Sequence, residues 1–146
     1  MPAWSAVRVR TIAYSALLLV VAAVMLAAFL MRSETELTVQ RDRSPNFVLL
    51  SNGDVRNSYT VKILNKSRAV RHFALRVDGL PGAALTAVGG EADFAVHPDA
   101  VGTFRVFLTS AAAAAPHGSA SIVFEARDRT GAEKARHGAV FVGPGK

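Results

Sequence analysis

The chain has 146 residues, 51% hydrophobic and 19% charged with 8 Phe, enough apolar material for one core but too little length for two globular domains. It contains no cysteine, which excludes disulfide staples, thiolate catalysis, cysteine-type structural zinc and cysteine-ligated iron-sulfur clusters within this chain. The formal net charge is +6, but the 17 Lys and Arg are spread among 11 Asp and Glu, so a solvated basic surface is expected rather than a nucleic-acid site, with anionic lipid headgroups as the functional alternative.

Residues Thr11 to Met31, TIAYSALLLVVAAVMLAAFLM, form a run of 21 without a charge. As a helix rising about 1.5 Å per residue, that run spans the roughly 30 Å hydrocarbon core of a bilayer. A cleaved signal peptide needs a shorter apolar region and small residues two apart before the cleavage point. Ala13, Ala16, Ala22, Ala23, Ala27 and Ala28 never fall two apart, and Arg32 follows the run directly, so a retained single-pass anchor is expected. Arg8 and Arg10 with the terminal amine put the N-terminus in the cytoplasm by the positive-inside rule. The expected division is a cytoplasmic segment over 1–10, a transmembrane helix over 11–31, a linker over 32–36 and an extramembrane domain over 37–146. Ala16, Ala23 and Ala27 share one helix face, where a second helix could approach, although alanine is abundant throughout the chain.

Beyond Leu37 the sequence alternates apolar and polar residues in short stretches separated by turn residues, the pattern of an antiparallel sandwich. Leu37 to Gln40 and Phe47 to Leu50 flank Pro45, which predicts an edge pairing or a strand that switches sheets. Ser51 to Asp54 contains Asn-Gly and predicts a hairpin turn. Tyr59, Val61 and Ile63 point inward on one strand, and Phe73, Leu75 and Val77 on the next, separated by the polar turn Asn65 to Arg68. Asp78 to Gly82 closes that strand. Phe94 and Val96 mark a short strand ending at His97 and Pro98, and Phe104, Val106 and Leu108 a longer one. Ala111 to Ala115 reads as a loop or a single turn stopped by Pro116 and Gly118. Ala120, Ile122, Phe124 and Ala126 alternate on the following strand, and a turn over Asp128 to Gly131 leads to a last strand near Ala139 to Val142. The fold class is therefore all-β, a sandwich of seven or eight antiparallel strands preceded by one transmembrane α-helix.

Catalysis needs titratable groups that converge, and no local cluster supplies them. His72, His97, His117 and His137 lie in separate segments without metal-ligand spacing. A distributed copper or zinc site drawing on two of them with Asp99 or Glu125 is the alternative to solvent-facing histidines. Gly89 and Gly90 form an isolated pair suited to a turn and not to a phosphate loop. Asn65-Lys66-Ser67 matches a glycosylation sequon, meaningful only in a eukaryotic secretory route, whereas the Ala-, Arg-, Gly- and Val-rich composition favours a bacterium. The densest basic group, Lys62, Lys66, Arg68, Arg71 and Arg76, lies on and beside one predicted hairpin. It is either a solvated edge or a surface for lipid headgroups or an acidic partner. The chain is expected to be non-catalytic and to carry no cofactor.

The stretch Glu36 to Arg68, ELTVQRDRSPNFVLLSNGDVRNSYTVKILNKSR, resembles the start of the C-terminal domain of the FixG family, also called CcoG, the cytochrome c oxidase accessory proteins. The resemblance is carried by Arg41-Asp42-Arg43 before Pro45, by Val55-Arg56-Asn57 and Tyr59 to Asn65, by Gly79-Leu80-Pro81-Gly82, and by Phe104-Arg105-Val106-Phe107. It implies an immunoglobulin-like periplasmic domain directly after a last transmembrane helix in the bacterial inner membrane. It implies further a role in assembling the cbb3-type oxidase, through copper handling, alongside integral-membrane partners. Full-length members also carry earlier helices and a cysteine-rich iron-sulfur region, neither of which is present here, so no redox residue carries over. The expected function is an interaction module; the alternatives are the non-catalytic part of a split metal reductase and a tethered metal-binding domain.

Overall fold

The computed structural model describes residues 8–90, 93–131 and 133–145; most of the expected cytoplasmic segment, residues 1–7, lies outside the described residues. Contacts between Cα atoms divide the chain between Ser33 and Glu34 into two units. The first holds helix α1, Val9–Leu30, which begins two residues before and ends one residue before the expected span. None of its side chains is buried, and it is long and apolar enough to cross a membrane.

The second unit is a sandwich of two antiparallel sheets. Its strands are β1 (Thr35–Arg41), β2 (Val48–Leu49), β3 (Val55–Asn65), β4 (Arg71–Asp78), β5 (Ala84–Ala87), β6 (Phe94–Val96), β7 (Ala100–Ser110), β8 (Ser119–Asp128) and β9 (Lys134–Val142). One sheet runs β1-β3-β7-β5 with β2 also on β3, and the other runs β6-β4-β8-β9. Eight of these strands coincide with the expected apolar stretches. β5 does not, because Ala-Leu-Thr-Ala offers little contrast between its faces, and its place comes from pairing Ala84 to Ala87 with Val106 to Thr109. β9 starts at Lys134, five residues before the expected Ala139, since its first half carries only small or polar inward residues.

Pro45 sits in an edge excursion. β1 pairs with the second half of β3 and β2 with its start, along the same edge, so the strand stays in one sheet. The Asn52-Gly53 turn closes the β2–β3 hairpin, with Gly53 N–H donating to Leu50 C=O at 2.9 Å and Gly53 at φ +86°. Ala111 to Ala115 forms a single turn, the N–H groups of Ala114 and Ala115 both donating to Ala111 C=O.

Strict alternation along β3 turns Val55, Asn57, Tyr59, Val61, Ile63 and Asn65 inward. Opposite them stand Phe73, Ile122, Phe124, Ala126 and Phe141, all almost fully buried. The Tyr59 and Phe124 rings meet at 5.0 Å between centroids, tilted by 60°. Two polar groups in this row join β3 to β9 of the other sheet. Asn57 donates to Val142 C=O at 2.8 Å and accepts from Val142 N–H at 3.1 Å, and the Tyr59 hydroxyl donates to Val140 C=O at 2.9 Å. β9 is an edge strand paired only with β8, so these side chains satisfy backbone groups that the ladder leaves open. Burial raises the Tyr59 pKa above its ordinary value, with the Arg41 charge opposing, and the hydroxyl keeps its proton.

Asn57→Ala therefore leaves both β9 groups of Val142 unpaired in the interior. It should destabilise the domain by about 2–3 kcal/mol in urea unfolding, against about 1 kcal/mol for Tyr59→Phe, which removes a single bond. An Asn57→Ala loss no larger than that of Tyr59→Phe would show that the edge finds other partners.

Candidate functional site

The basic residues singled out in the sequence do not share a hairpin. β3 and β4 belong to different sheets, and the segment between them crosses from one to the other. The crossing is set by Asn65, fully buried, whose amide donates to the carbonyls of Ala69, Val96 and His97 while its oxygen accepts from Ser67 N–H and Ser67 Oγ. That burial also removes the sequon from reach, because the amide nitrogen a glycan would occupy is spent on backbone carbonyls.

Each of the five residues has its own setting. Lys62 is exposed on the outer face of β3. Lys66 pairs with Glu36 at 3.2 Å, and Arg68 is exposed on the crossing loop without an ion pair among the described residues. Arg76 lies on the outer face of β4, in register with Glu125 of β8. Arg71 differs from the rest. Its side chain is 21% exposed and holds Glu34 at 2.7 Å and Asp128 at 2.8 Å, with Glu133 at 3.7 Å. Its Nε donates to Ser67 Oγ at 3.0 Å. This cluster ties the entry of β1 to the crossing loop and the β8–β9 turn, where Thr35 Oγ1 also donates to Glu133 at 2.8 Å. A cleft of about 430 Å³ lies beside it, lined by Glu34, Lys66, Ser67, Arg68, Ala69 and Arg71.

Burial opposes ionisation of Asp128. The Thr130 N–H and hydroxyl and the Arg71 guanidinium, all donating to its oxygens, outweigh that and hold its pKa below the ordinary carboxyl value. Glu125 is also held low, first by the hydrogen bond from Arg136 Nε at 2.6 Å and then by the charges of Arg136, Lys134 and Arg127 against partial desolvation. Arg127, Lys134 and Arg136 were not singled out in the sequence. Reading the last strand from Lys134 would align Arg127 with Lys134 and Glu125 with Arg136 across the β8–β9 hairpin.

A third cluster is His72, Asp93 and Arg129. His72 Nδ1 meets Asp93 Oδ2 at 2.8 Å, and Arg129 Nε lies 3.5 Å from Asp93 Oδ1. Asp93 also lines a cavity of about 240 Å³ with Ala87, Val88, Phe94, Thr103, Phe104 and Arg105. Its lining offers no nucleophile paired with a base. The other histidines lie on the β6–β7 turn (His97), the β7–β8 loop (His117) and β9 (His137), and among the described residues no three His, Asp or Glu side chains gather as metal ligands.

Removing the Arg71 guanidinium leaves Asp128, whose side chain is 1% exposed, without its counter-charge and with only the Thr130 N–H and hydroxyl as donors. Arg71→Ala should cost about 2–4 kcal/mol, and Arg71→Lys should recover little, since it lacks the planar fork whose three nitrogens reach Ser67, Asp128 and Glu34 at once. Because the folded Asp128 pKa lies below the unfolded one, its stabilisation is present above about pH 4 and is lost as pH falls further. Asp128→Asn should therefore flatten the acid limb of stability measured by urea unfolding across pH; an unchanged limb would remove Asp128 from the account.

Residues 25–144 match the family described as the IG-like fold at the C-terminal of FixG, and the matched region begins within α1. The chain is 38% identical over 120 residues to protein RdxA of Cereibacter sphaeroides, covering 81% of this chain and 24% of that protein. It is 36% identical over 108 residues to the nitrogen fixation protein FixG of Rhizobium meliloti, covering 70% and 21%. Protein RdxB of Cereibacter sphaeroides matches at 29% over 147 residues, covering 98% and 31%. The chain thus spans between about a fifth and a third of the length of these relatives. In fold, the crystal structure of a FixG-related protein from Vibrio parahaemolyticus superposes with a TM-score of 0.66 at 23% identity, covering 76% of this chain and 97% of that one. With the family match running through both sheets and the crossing between them, this chain belongs to the FixG C-terminal domain family, an immunoglobulin-like sandwich following an apolar helix.

Proposed function

We propose that this chain is a membrane-anchored periplasmic interaction module that supports assembly of the cbb3-type oxidase. The observation that carries the reading is the continuity of the family match across the helix end, the three connecting residues Met31 to Ser33 and the whole sandwich. A domain joined so closely to an apolar helix acts at the membrane surface. In this reading Arg8 and Arg10 hold the N-terminus in the cytoplasm of a bacterial inner membrane, and the sandwich stands in the periplasm. The contacts are made to integral-membrane partners by sheet edges and charged faces, with no catalytic residue and no cofactor supplied by this chain.

A second reading follows from length. Since the chain spans a fifth to a third of its relatives, it also suits the non-catalytic part of a split metal reductase, whose cysteine-rich portion is a separate polypeptide. Affinity capture from detergent-solubilised membranes separates the two. Oxidase subunits without reductase pieces support the stand-alone module, a FixG-like cysteine-rich polypeptide supports the split form, and recovery of neither overturns both. A periplasm-active reporter fused after Val142 should be functional; activity only from a cytosol-active reporter would overturn the orientation.

A further inference from the structure

The outer face of the four-stranded sheet carries more positive charge than its fold requires. Register across β4, β8 and β9 aligns Arg76 with Glu125 and Glu125 with Arg136, and in the neighbouring row aligns Arg127 directly with Lys134. Four cations thus stand around one buried carboxylate. Glu125 is 8% exposed and is occupied by Arg136. Like charges directly opposite each other on an antiparallel pair repel. Neither Arg127 nor Lys134 has an ion pair among the described residues, and the adjacent carboxylates, Asp128 and Glu133, engage Arg71 instead. The only other acid near the rows on these strands is Asp78, two residues past Arg76 at the far end of β4. An opposed cation pair that makes no ion pair among the described residues, and whose one attracting carboxylate, Glu125, is already engaged by Arg136, is shaped for an anion from outside.

The tether decides which anion. Asp128, next to Arg127, is held by Arg71, which also holds Glu34, and Glu34 follows the last residue of α1 by four positions. Four residues of extended chain reach about 14 Å at most. The headgroup layer of a bilayer is roughly 5–8 Å deep on each side of the hydrocarbon core. If α1 is the anchor proposed above, on which this inference rests, covalent connection alone keeps headgroup phosphates at high effective concentration around this domain, whereas an acidic protein segment must arrive by diffusion.

We propose that Arg76, Arg127, Lys134 and Arg136 form a binding face for the phosphates of anionic phospholipids in the bilayer that holds α1. Arg127 and Lys134 share phosphates between them. Arg136, held to the sheet by Glu125, and Arg76 flank them.

The test uses the full chain in nanodiscs of phosphatidylcholine alone or with added phosphatidylglycerol, read by amine-reactive labelling of Lys134 and Lys62. These lysines stand on the outer faces of opposite sheets, so each controls for the other. In phosphatidylglycerol discs Lys134 labelling should slow about fivefold, the worth of one basic contact at an anionic surface, with Lys62 unchanged and the effect lost at high salt. Arg127→Gln, an exposed substitution, should return Lys134 labelling toward its phosphatidylcholine rate with no fall in thermal midpoint, and Arg43→Gln, at the opposite end of the sandwich, should not. Equal Lys134 labelling in both discs, or equal slowing of Lys62, overturns the proposal. Protection of Lys134 by polyglutamate but not by phosphatidylglycerol also overturns it, in favour of an acidic protein partner. A chain that does not stay with the discs overturns the anchor and this face together.

Discussion

The structure depends on what β3 turns inward. Its row of Val55, Asn57, Tyr59, Val61, Ile63 and Asn65 supplies the centre of one sheet, and all six are almost fully buried. Four of them fill the core as aliphatic or aromatic bodies. The two asparagines cannot, because a buried amide without partners costs more than its burial returns. Each therefore dictates the course of a neighbouring segment. Asn57 grips both backbone groups of Val142 at the edge of the other sheet, and Asn65 gathers the carbonyls of Ala69, Val96 and His97 where the chain changes sheets. Apolar packing alone would permit the two sheets to slide; the amides define the register in which they close.

Charge follows a similar division between inward and outward use. Arg71 is consumed by Glu34 and Asp128, and its role is to close the end of the sandwich at which β1 begins. Arg127 and Lys134, next to Asp128 and Glu133 respectively, are left over. A net charge summed along the chain cannot distinguish these cases. The relevant quantity is which cations retain exposed charge after internal acids have been assigned, and that assignment is a property of the folded arrangement.

Much of the sandwich is legible in the sequence wherever inward residues are large. Tyr59, Val61 and Ile63, then Phe104, Val106 and Leu108, then Ile122 and Phe124 alternate so plainly that period two is unmistakable. The contrast fades in the four residues of β5, where Leu85 and Ala87 face inward between Ala84 and Thr86, and in the first half of β9, where Ala135 and His137 do, so the partner strand decides the pairing. The candidate site is less legible for a related reason. Arg71 and Glu34 are 37 positions apart, Arg71 and Asp128 are 57 apart, and no local pattern announces that they meet. The five basic residues grouped by proximity in sequence end on two sheets and a crossing loop, while Arg127, Lys134 and Arg136 come together only through a hairpin. The sequon shows the converse, a motif visible as a string and unreachable as a structure.

The Asn57–Val142 grip has a bearing on how this domain is made. The two residues are separated by 85 positions, and every strand of the larger sheet is synthesised before β9. An emerging chain can thus zip β3 to β1 and β7 early, yet its central asparagine and tyrosine wait for a strand still unmade, facing solvent or a chaperone meanwhile. Such long-range closure is slow and leaves open edges vulnerable to wrong pairing. Quality control acting on the nascent protein would find its discriminating mark there, since a product cut short of β9 retains most of its ladder hydrogen bonds but never hides the polar seam at its centre.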